Sequence, residues 1–237
     1  MPNKSVVIVI PAYRAEHTII EAIAKLDAVL LQTNCVYKIL VVIDGLVDNT
    51  FALLKSEVFK EVEIIPILAN SGKGNALRVG ISHIGECDYI GFIDADLDIE
   101  PNSFIPALKI LHENHQVQIV VGSKLHPDSK VSYPIFRKVQ SVLFARLIEM
   151  FFHLGISDTQ TGLKLARATS LKSAAQNTIC DGFAFDLELL VRMNTSSGSI
   201  AHVPVQLNFQ FDTTINLRSY FKTIREVYKV ILLKNKL

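Results

Sequence analysis

Five short apolar runs, each followed by a segment with helical spacing, constrain the fold of this chain more than any other feature. The runs are rich in β-branched residues and apolar on both faces, as is typical of parallel strands covered by helices on both sides. They lie at 6–10, 38–43, 63–68, 89–94 and 118–123, and the helical segments lie at 16–32, 48–58, 73–85 and 102–115. The pattern predicts an α/β fold with a doubly wound, mostly parallel sheet.

The sequence predicts a single domain over residues 1–237. No linker rich in Pro, Gly or Ser and no internal repeat divides it. We expect a first half over about 1–124, a second half over about 125–215, and a basic amphipathic helix over 216–237. This last helix can lie on an anionic membrane surface as a peripheral contact or pack its apolar face on the protein, and both possibilities stay open.

Charge, cysteine usage and motif spacing exclude several classes of function. The 24 basic and 23 acidic residues nearly cancel, which argues against a nucleic-acid partner. Three cysteines without CxxC spacing favour a reducing compartment, and no apolar stretch has the length of a signal peptide or membrane span, so we expect a cytoplasmic protein. The spacings of a Walker A loop, a dinucleotide-binding loop and a histidine zinc site are all absent.

Polar residues follow the predicted strands, where a doubly wound sheet forms its ligand crevice. Asp94, Asp96 and Asp98 alternate directly after an apolar run, so their carboxylates can point the same way and hold Mg²⁺ or Mn²⁺. The alternative is an acidic turn that caps the helix after Pro101.

Two further segments at this edge carry groups suited to a nucleotide. The loop 70–77 offers two glycines, Lys73 and a helix N-terminus to phosphate oxygens, although glycines also serve ordinary turns. Asp44 can accept from a base or ribose, whereas Asp48 is better explained as a helix cap.

The second half holds the candidate residues for a second substrate. Arg137 and Ser141 lie near a helix start, where phosphate can bind, although a solvated basic face is equally compatible. A turn-like polar stretch between two apolar helices contains Asp158, Gln160 and Lys164. Asp186 and Glu188 stand in an apolar segment, where a buried carboxylate needs a partner or a purpose, although Glu188 can instead face solvent.

Taken together and in order, these motifs resemble the inverting family 2 glycosyltransferases, in the branch that includes dolichyl-phosphate mannose synthase and polyprenyl-phosphate glycosyltransferases. The matching motifs are IPAYR (10–14), IDGLVDNT (43–50), NSGKGNAL (70–77), DADLDIEP (94–101), GSKLHPDS (122–129), Arg137 with Ser141, SDTQTGLK (157–164) and FAFDLELL (183–190). The resemblance implies an A-type glycosyltransferase fold, a UDP- or GDP-linked sugar donor, Mg²⁺ or Mn²⁺, and transfer to a polyprenyl phosphate at the cytoplasmic membrane face, in cell-envelope biogenesis.

The resemblance also implies roles for individual residues. The first half would bind the donor and the second half the acceptor. Asp94, Asp96 and Asp98 take the metal positions, and Asp96, Asp158 and Arg137 are the catalytic candidates. The donor candidates are Pro11, Ala12, Tyr13, Asp44, Asn70, Gly72, Lys73, Gly74 and Asp94. The acceptor candidates are Lys124, Arg137, Ser141, Gln160, Lys164 and Asp186.

Some positions depart from the family pattern, and other functions stay open. Ala15 stands where an acid is common, Ile43 replaces the first acid of an acidic pair, and Lys124 replaces an arginine, which gives up bidentate geometry. A phosphate acceptor is already an anion and needs alignment more than a base. If the acceptor is a saccharide hydroxyl, as in polysaccharide synthesis, the reaction needs a general base, and Asp158 and Asp186 are the candidates. A non-catalytic nucleotide-sugar-binding protein and a nucleotidyltransferase are further alternatives.

Overall fold

The computed structural model describes residues 4–131, 146, 149–152, 161–194, 199–207 and 217–234. Strands in these segments form one sheet. They are β1 (Ser5–Ala12), β2 (Val36–Asp44), β3 (Val62–Ile67), β4 (Tyr89–Phe92), β5 (Ile119–Ser123), β6 (Lys164–Arg167) and β7 (Ile200–Pro204). Their order in the sheet is β3-β2-β1-β4-β6-β5-β7. All five predicted strands are confirmed, and the neighbouring pairs β1–β2, β1–β4, β2–β3 and β5–β7 are parallel.

Helices cover both faces of the sheet. They are α1 (Ile19–Leu30), α2 (Thr50–Ser56), α3 (Lys73–His83), α4 (Phe104–Glu113), α5 (Ala168–Gln176), α6 (Phe185–Met193) and α7 (Leu217–Lys234). One apolar cluster joins α1 and α4 to one face, and a second joins α3, α5, α6 and α7 to the other. Adjacent strand residues enter opposite clusters, as Ile8 and Val9 do, which explains why the strands are apolar on both faces.

The arrangement of β6 is the main departure from the prediction. Lys164 does not lie in a polar turn between two helices, because it begins a strand that runs antiparallel between β4 and β5. The strand has a charged residue at each end and only Leu165 and Ala166 between them, so its sequence lacks the apolar run that marks the other strands. Since β6 runs antiparallel, its first residue pairs with Phe92 and lies at the edge where the parallel strands end.

Helix α7 packs on the domain through its apolar face. Val227 and Val230 are buried in the cluster that also contains Leu187 of α6. The side chains of Tyr228 and Leu232 remain exposed. Packing of this helix is therefore observed, and none of the helices in the described segments is both long and apolar enough to cross a bilayer.

The contact between α3 and the sheet can be tested at Gly80. A Cβ there would lie 2.8 Å from a methyl group of Val9 and 2.9 Å from one of Val42. We expect Gly80→Ala to lower the free energy of unfolding by about 1 kcal/mol, because overpacking outweighs the better helix propensity of alanine. Gly85→Ala is the control, since its Cβ would meet open space, and urea unfolding measures both. Equal stability of the two variants would contradict close packing of α3.

Candidate active site

The candidate site lies where β1, β2 and β4 end and β6 begins. Asp44 is the last residue of β2, Asp94 follows β4 by two residues, and Lys164 is the first residue of β6. The register of β4 against β1 on one side and β6 on the other brings these segments to one edge of the sheet. This is the edge at which doubly wound sheets bind their ligands.

Asp44 anchors the loop that leads into α3. Its side chain is buried, and one carboxylate oxygen accepts from the backbone N–H and hydroxyl of Ser71 at 2.8 and 3.1 Å. The other accepts from the N–H of Gly72 at 2.8 Å and the amide of Asn70 at 3.0 Å. Two donors on each oxygen match the acceptor capacity of a carboxylate. Asp44 therefore holds the loop in position, and its contact with a nucleoside stays a prediction.

The backbone amides at the start of α3 also have partners within the protein. The carbonyl of Asp181 accepts from the N–H groups of Gly74 and Asn75, at 2.8 and 3.2 Å. A Cβ on Gly72 or Gly74 would overlap the backbone around Asp181, and Gly72 has φ of +109°. These two amides, which the sequence suggests as donors to a phosphate, donate to the protein's own backbone in this structure. The loop reaches the acidic residues of the site through the side chain of Lys73.

Four alternating charges, which we name the charge chain, connect the two halves of the site. The Nζ of Lys73 lies 2.6 Å from Oδ1 of Asp94 and 3.4 Å from Oδ2 of Asp186. The Nζ of Lys164 lies 2.7 Å from Oδ1 of Asp186 and donates to the carbonyl of Thr161 at 2.7 Å. The Lys164 side chain has no exposed surface, whereas 30% of the Asp94 side chain is exposed. The charge chain therefore runs from the core to the surface of the protein.

The charge chain controls the proton affinities of its members. Burial opposes a charge on Asp186, but the nearby ammonium groups of Lys164 and Lys73 outweigh it and hold the pKa of Asp186 below its usual value. Burial also opposes the charge on Lys73, yet Asp186 and Asp94 raise the pKa of Lys73. Burial dominates at Lys164 and lowers its pKa. Asp186 is consequently a poor acceptor for a proton from a substrate.

The acidic turn after β4 has a strained backbone. Leu97 has φ of +64°, which is uncommon for a bulky side chain, and its burial against the core offsets the cost. The N–H of Asp98 donates to Asp96 at 3.1 Å. Burial, together with the charges of Asp94 and Asp98, raises the pKa of Asp96 to about 6. A cation beside Asp96 would relieve this unfavourable charge.

Asp94 and Asp96 fit the chemistry of a hard divalent cation, since each offers carboxylate oxygens and is only partly buried at this edge of the sheet. Within the described segments, no group of three or more His, Cys, Asp or Glu side chains is placed to hold a metal ion. Metal binding by Asp94 and Asp96 is therefore a proposal, in which a bound substrate or water would supply the further oxygen ligands. Asp98 does not form a preformed group of three ligands with them.

The remaining predicted residues of the first half follow strand ends as expected. Ala12 is buried at the end of β1, and Tyr13 is exposed, with the guanidinium of Arg14 5.4 Å from its ring centre. Asp48 accepts hydrogen bonds from the N–H and hydroxyl of Thr50, in agreement with a structural role. Lys124 directly follows β5 and is half-buried.

Comparison with known proteins identifies the family. A model of glycosyl transferase family 2 matches residues 7–173. The chain belongs to glycosyl transferase family 2. It is 28% identical over 236 residues to dolichyl-phosphate beta-glucosyltransferase ALG5C of Trichomonas vaginalis, covering 94% of this chain and 70% of the relative. It is 29% identical over 205 residues to the human dolichyl-phosphate beta-glucosyltransferase, covering 80% of this chain and 63% of that protein.

Solved structures show the same fold. Mannosyl-3-phosphoglycerate synthase from Rubrobacter xylanophilus superposes with a TM-score of 0.76 at 20% identity, over 99% of this chain and 76% of that one. Glucosyl-3-phosphoglycerate synthase from Mycobacterium tuberculosis, crystallised with Mn²⁺, UDP and glucosyl-3-phosphoglycerate, gives 0.71 at 19% identity, over 98% and 80% of the two chains. The glycosyltransferase fold is thus of the A type, as the sequence predicts.

The acceptor candidates of this glycosyltransferase are only partly within the described segments. Arg137, Ser141, Asp158 and Gln160 lie outside them. Lys164 and Asp186 were expected to contact the acceptor directly, but both side chains are buried and paired within the charge chain. They form an ion pair with each other, so they stabilise the site from within the protein.

Glu188 and Gly162 complete the surroundings of the site. Glu188 is buried, accepts from the N–H groups of Ile179 and Cys180, and pairs with Arg192 at 2.8 Å, so its solvent-facing alternative is wrong. Gly162 was not predicted as a site residue, yet a Cβ there would overlap the carboxylate of Asp94. A glycine in the motif between Gln160 and Lys164 is the sequence signal for this close approach.

Lys164 offers a test of the charge chain. We expect Lys164→Met to lower the free energy of unfolding by about 3 kcal/mol, because it leaves part of the buried negative charge of Asp186 unpaired. Lys38→Met is the control, since Lys38 pairs with Glu63 at the surface with 53% of its side chain exposed, and should change stability by less than about 1 kcal/mol. Denaturant unfolding of both variants makes the comparison, and equal losses would contradict a structural role for the buried pair.

Proposed function

We propose that this glycosyltransferase moves a hexose from a UDP-linked donor to a polyprenyl phosphate, with inversion at the anomeric carbon and with a bound divalent cation. The acceptor class is supported by the relatives named dolichyl-phosphate beta-glucosyltransferase, the first of which spans nearly the whole of this chain. The donor class and cation are supported by the related fold that was crystallised with UDP and Mn²⁺. Glucose is the first hexose to test, because the names of both relatives specify it.

The observation that favours a phosphate acceptor is the state of Asp186, one of the two candidate bases; the other, Asp158, lies outside the described residues. A hydroxyl acceptor requires a general base that can reach it and accept its proton. Asp186 is buried, forms ion pairs with Lys164 and Lys73, and has a lowered pKa, so it is unsuited to that task. A phosphate acceptor is already an anion, so it can attack the anomeric carbon without a base.

The donor is held by residues of the first half. Asp94 and Asp96 would hold the cation, and Lys73 contributes a positive charge from the start of α3 beside them. When bound, the cation stabilises the charge that develops on the leaving diphosphate. Tyr13 is exposed at the end of β1 and offers its ring to the nucleobase, while Asp44 keeps the Lys73 loop in place.

The acceptor would be held by Lys124, at the end of the first half, and by residues of the second half. Lys124 and Arg137 would place the acceptor phosphate for in-line attack, and Ser141 and Gln160 are the further candidates for contact with the acceptor. Arg225 and Lys229 are exposed on α7, next to the exposed side chain of Tyr228. Membrane contact through this face would bring the site to a lipid acceptor and belongs to the proposal.

A transfer assay distinguishes the proposed acceptor from its alternative. Purified protein receives UDP-glucose, Mg²⁺ or Mn²⁺, and either a short polyprenyl phosphate in detergent or a free saccharide. We expect labelled glucose in the lipid fraction together with release of UDP, and no transfer to the saccharide. GDP-mannose serves as the comparison donor.

The outcomes of this assay separate the mechanisms. Transfer to the saccharide and not to the lipid phosphate would reject the proposal and direct attention to Asp158 as a base. Release of pyrophosphate in place of UDP would identify a nucleotidyltransferase. Product with β configuration from an α-linked donor would support a single displacement.

Asp96→Asn tests the proposed cation site. We expect the substitution to lower the rate of transfer about 100-fold or more, because a ligand of the cation loses its charge. The free energy of unfolding should be equal to or above that of the wild type, since the charge of Asp96 is disfavoured by burial and by its acidic neighbours. Asp128→Asn is the control, because 81% of the Asp128 side chain is exposed. Unchanged transfer by Asp96→Asn would refute the role of this carboxylate.

A further inference from the structure

We infer that Lys73 is the resident counter-cation of Asp94, and that it exchanges Asp94 for the donor diphosphate when a divalent cation binds. The Lys73 ammonium would then make the binding of the cation and of the nucleoside diphosphate cooperative. The inference rests on the proposed function, since it concerns the same donor site. It adds, to the binding roles proposed for Lys73 and Asp94, a coupling between the binding of the cation and the binding of the nucleoside diphosphate.

The contact between Lys73 and Asp94 occupies one of the two carboxylate oxygens that Asp94 could offer to a cation. The Nζ of Lys73 lies 2.6 Å from Oδ1 of Asp94. Oδ2 of the same carboxylate lies against Gly162, so closely that a Cβ there would overlap it. With the backbone of Gly162 on the side of Oδ2, an incoming cation meets the ammonium of Lys73 at Oδ1. Two positive charges cannot share that oxygen at close range without strong repulsion.

The structure allows the Lys73 side chain to leave Asp94 while the rest of the site stays in place. The backbone on either side of Lys73 is fixed, because Gly72 donates to Asp44 and Gly74 donates to Asp181. The second partner of Lys73, Asp186, also pairs with Lys164 at 2.7 Å, closer than its 3.4 Å contact with Lys73, so it has another ion pair if Lys73 moves. Movement of Lys73 therefore leaves Asp94 as the carboxylate without its partner, and the incoming cation supplies a new one.

This arrangement has a thermodynamic consequence. A cation that binds without a nucleotide must displace the ammonium of Lys73 from Asp94 and gives it no new anion. A diphosphate provides that anion, so each ligand improves the site for the other. Because coupling of two ligands is reciprocal, UDP should strengthen the binding of Mn²⁺ by the same factor as Mn²⁺ strengthens the binding of UDP. The part of this factor due to Lys73 should vanish when its charge is removed.

The test measures Mn²⁺ binding by electron paramagnetic resonance or calorimetry, with and without UDP, on the full chain. For Lys73→Met we expect opposite changes. Mn²⁺ without UDP should bind about tenfold more tightly than to the wild type, and the enhancement by UDP should fall about tenfold or more, within the usual range of coupling factors. Lys73→Arg keeps the charge and should retain most of the enhancement.

Two further variants control for folding and for general electrostatics. Lys55→Met removes an exposed positive charge on α2 and should leave both Mn²⁺ affinities unchanged. Lys73→Gln repeats the neutral substitution with a polar side chain, so the test does not depend on the folding of Lys73→Met. Thermal unfolding checks that each variant is folded. We expect a native state, because Asp186 retains its ion pair with Lys164.

The results separate failure of this inference from failure of the proposed function. If the wild type binds UDP with Mn²⁺, but the neutral variants bind Mn²⁺ without UDP no more tightly and keep the full enhancement by UDP, the exchange by Lys73 is overturned and the donor site stands. If the wild type binds no UDP at saturating Mn²⁺, the proposed function is overturned together with the exchange. Tighter binding of Mn²⁺ without UDP, together with a smaller enhancement by UDP, is the result that supports the inference.

Discussion

The pairing of Asp186 with two lysines is the interaction on which the rest of the site depends. An isolated carboxylate at this depth would be costly, because the protein interior cannot replace the water that solvates its charge. Lys164 comes from a central strand and Lys73 from the start of a helix, so the carboxylate of α6 ties three elements together. Lys73 also pairs with Asp94, whose side chain is 30% exposed.

The antiparallel strand β6 makes this pairing possible. A parallel strand at the same place would carry its first residue to the opposite edge of the sheet, far from the ends of β1 and β2. Because β6 runs against its neighbours, Lys164 pairs in register with Phe92 of β4 and Val121 of β5. The buried ammonium group of Lys164 therefore belongs to a residue that pairs with the end of β4, just before the acidic turn.

The loop 70–77 contains both groups that stabilise the fold and a side chain that reaches the candidate site. Glycines and backbone amides suggest a phosphate cradle when they are viewed as a motif. In the folded chain, Gly72 donates to Asp44, while Gly74 and Asn75 donate to Asp181. These hydrogen bonds fix the backbone on either side of Lys73. A change of partner by Lys73, as inferred above, would therefore involve its side chain alone.

The sequence by itself determined the α/β class, the five parallel strands, the acidic turn and the family. These features are local, because strand periodicity, glycines and carboxylates at strand ends occur within short segments. The tertiary structure decided the direction of β6, the burial of Lys164 and Asp186, and the internal use of the loop amides. Each of these depends on groups far apart in the chain, such as Lys73 with Asp186 or Gly74 with Asp181. Residue type shows that a buried charge or amide needs a partner, but only the packing of the whole chain determines which partner it meets.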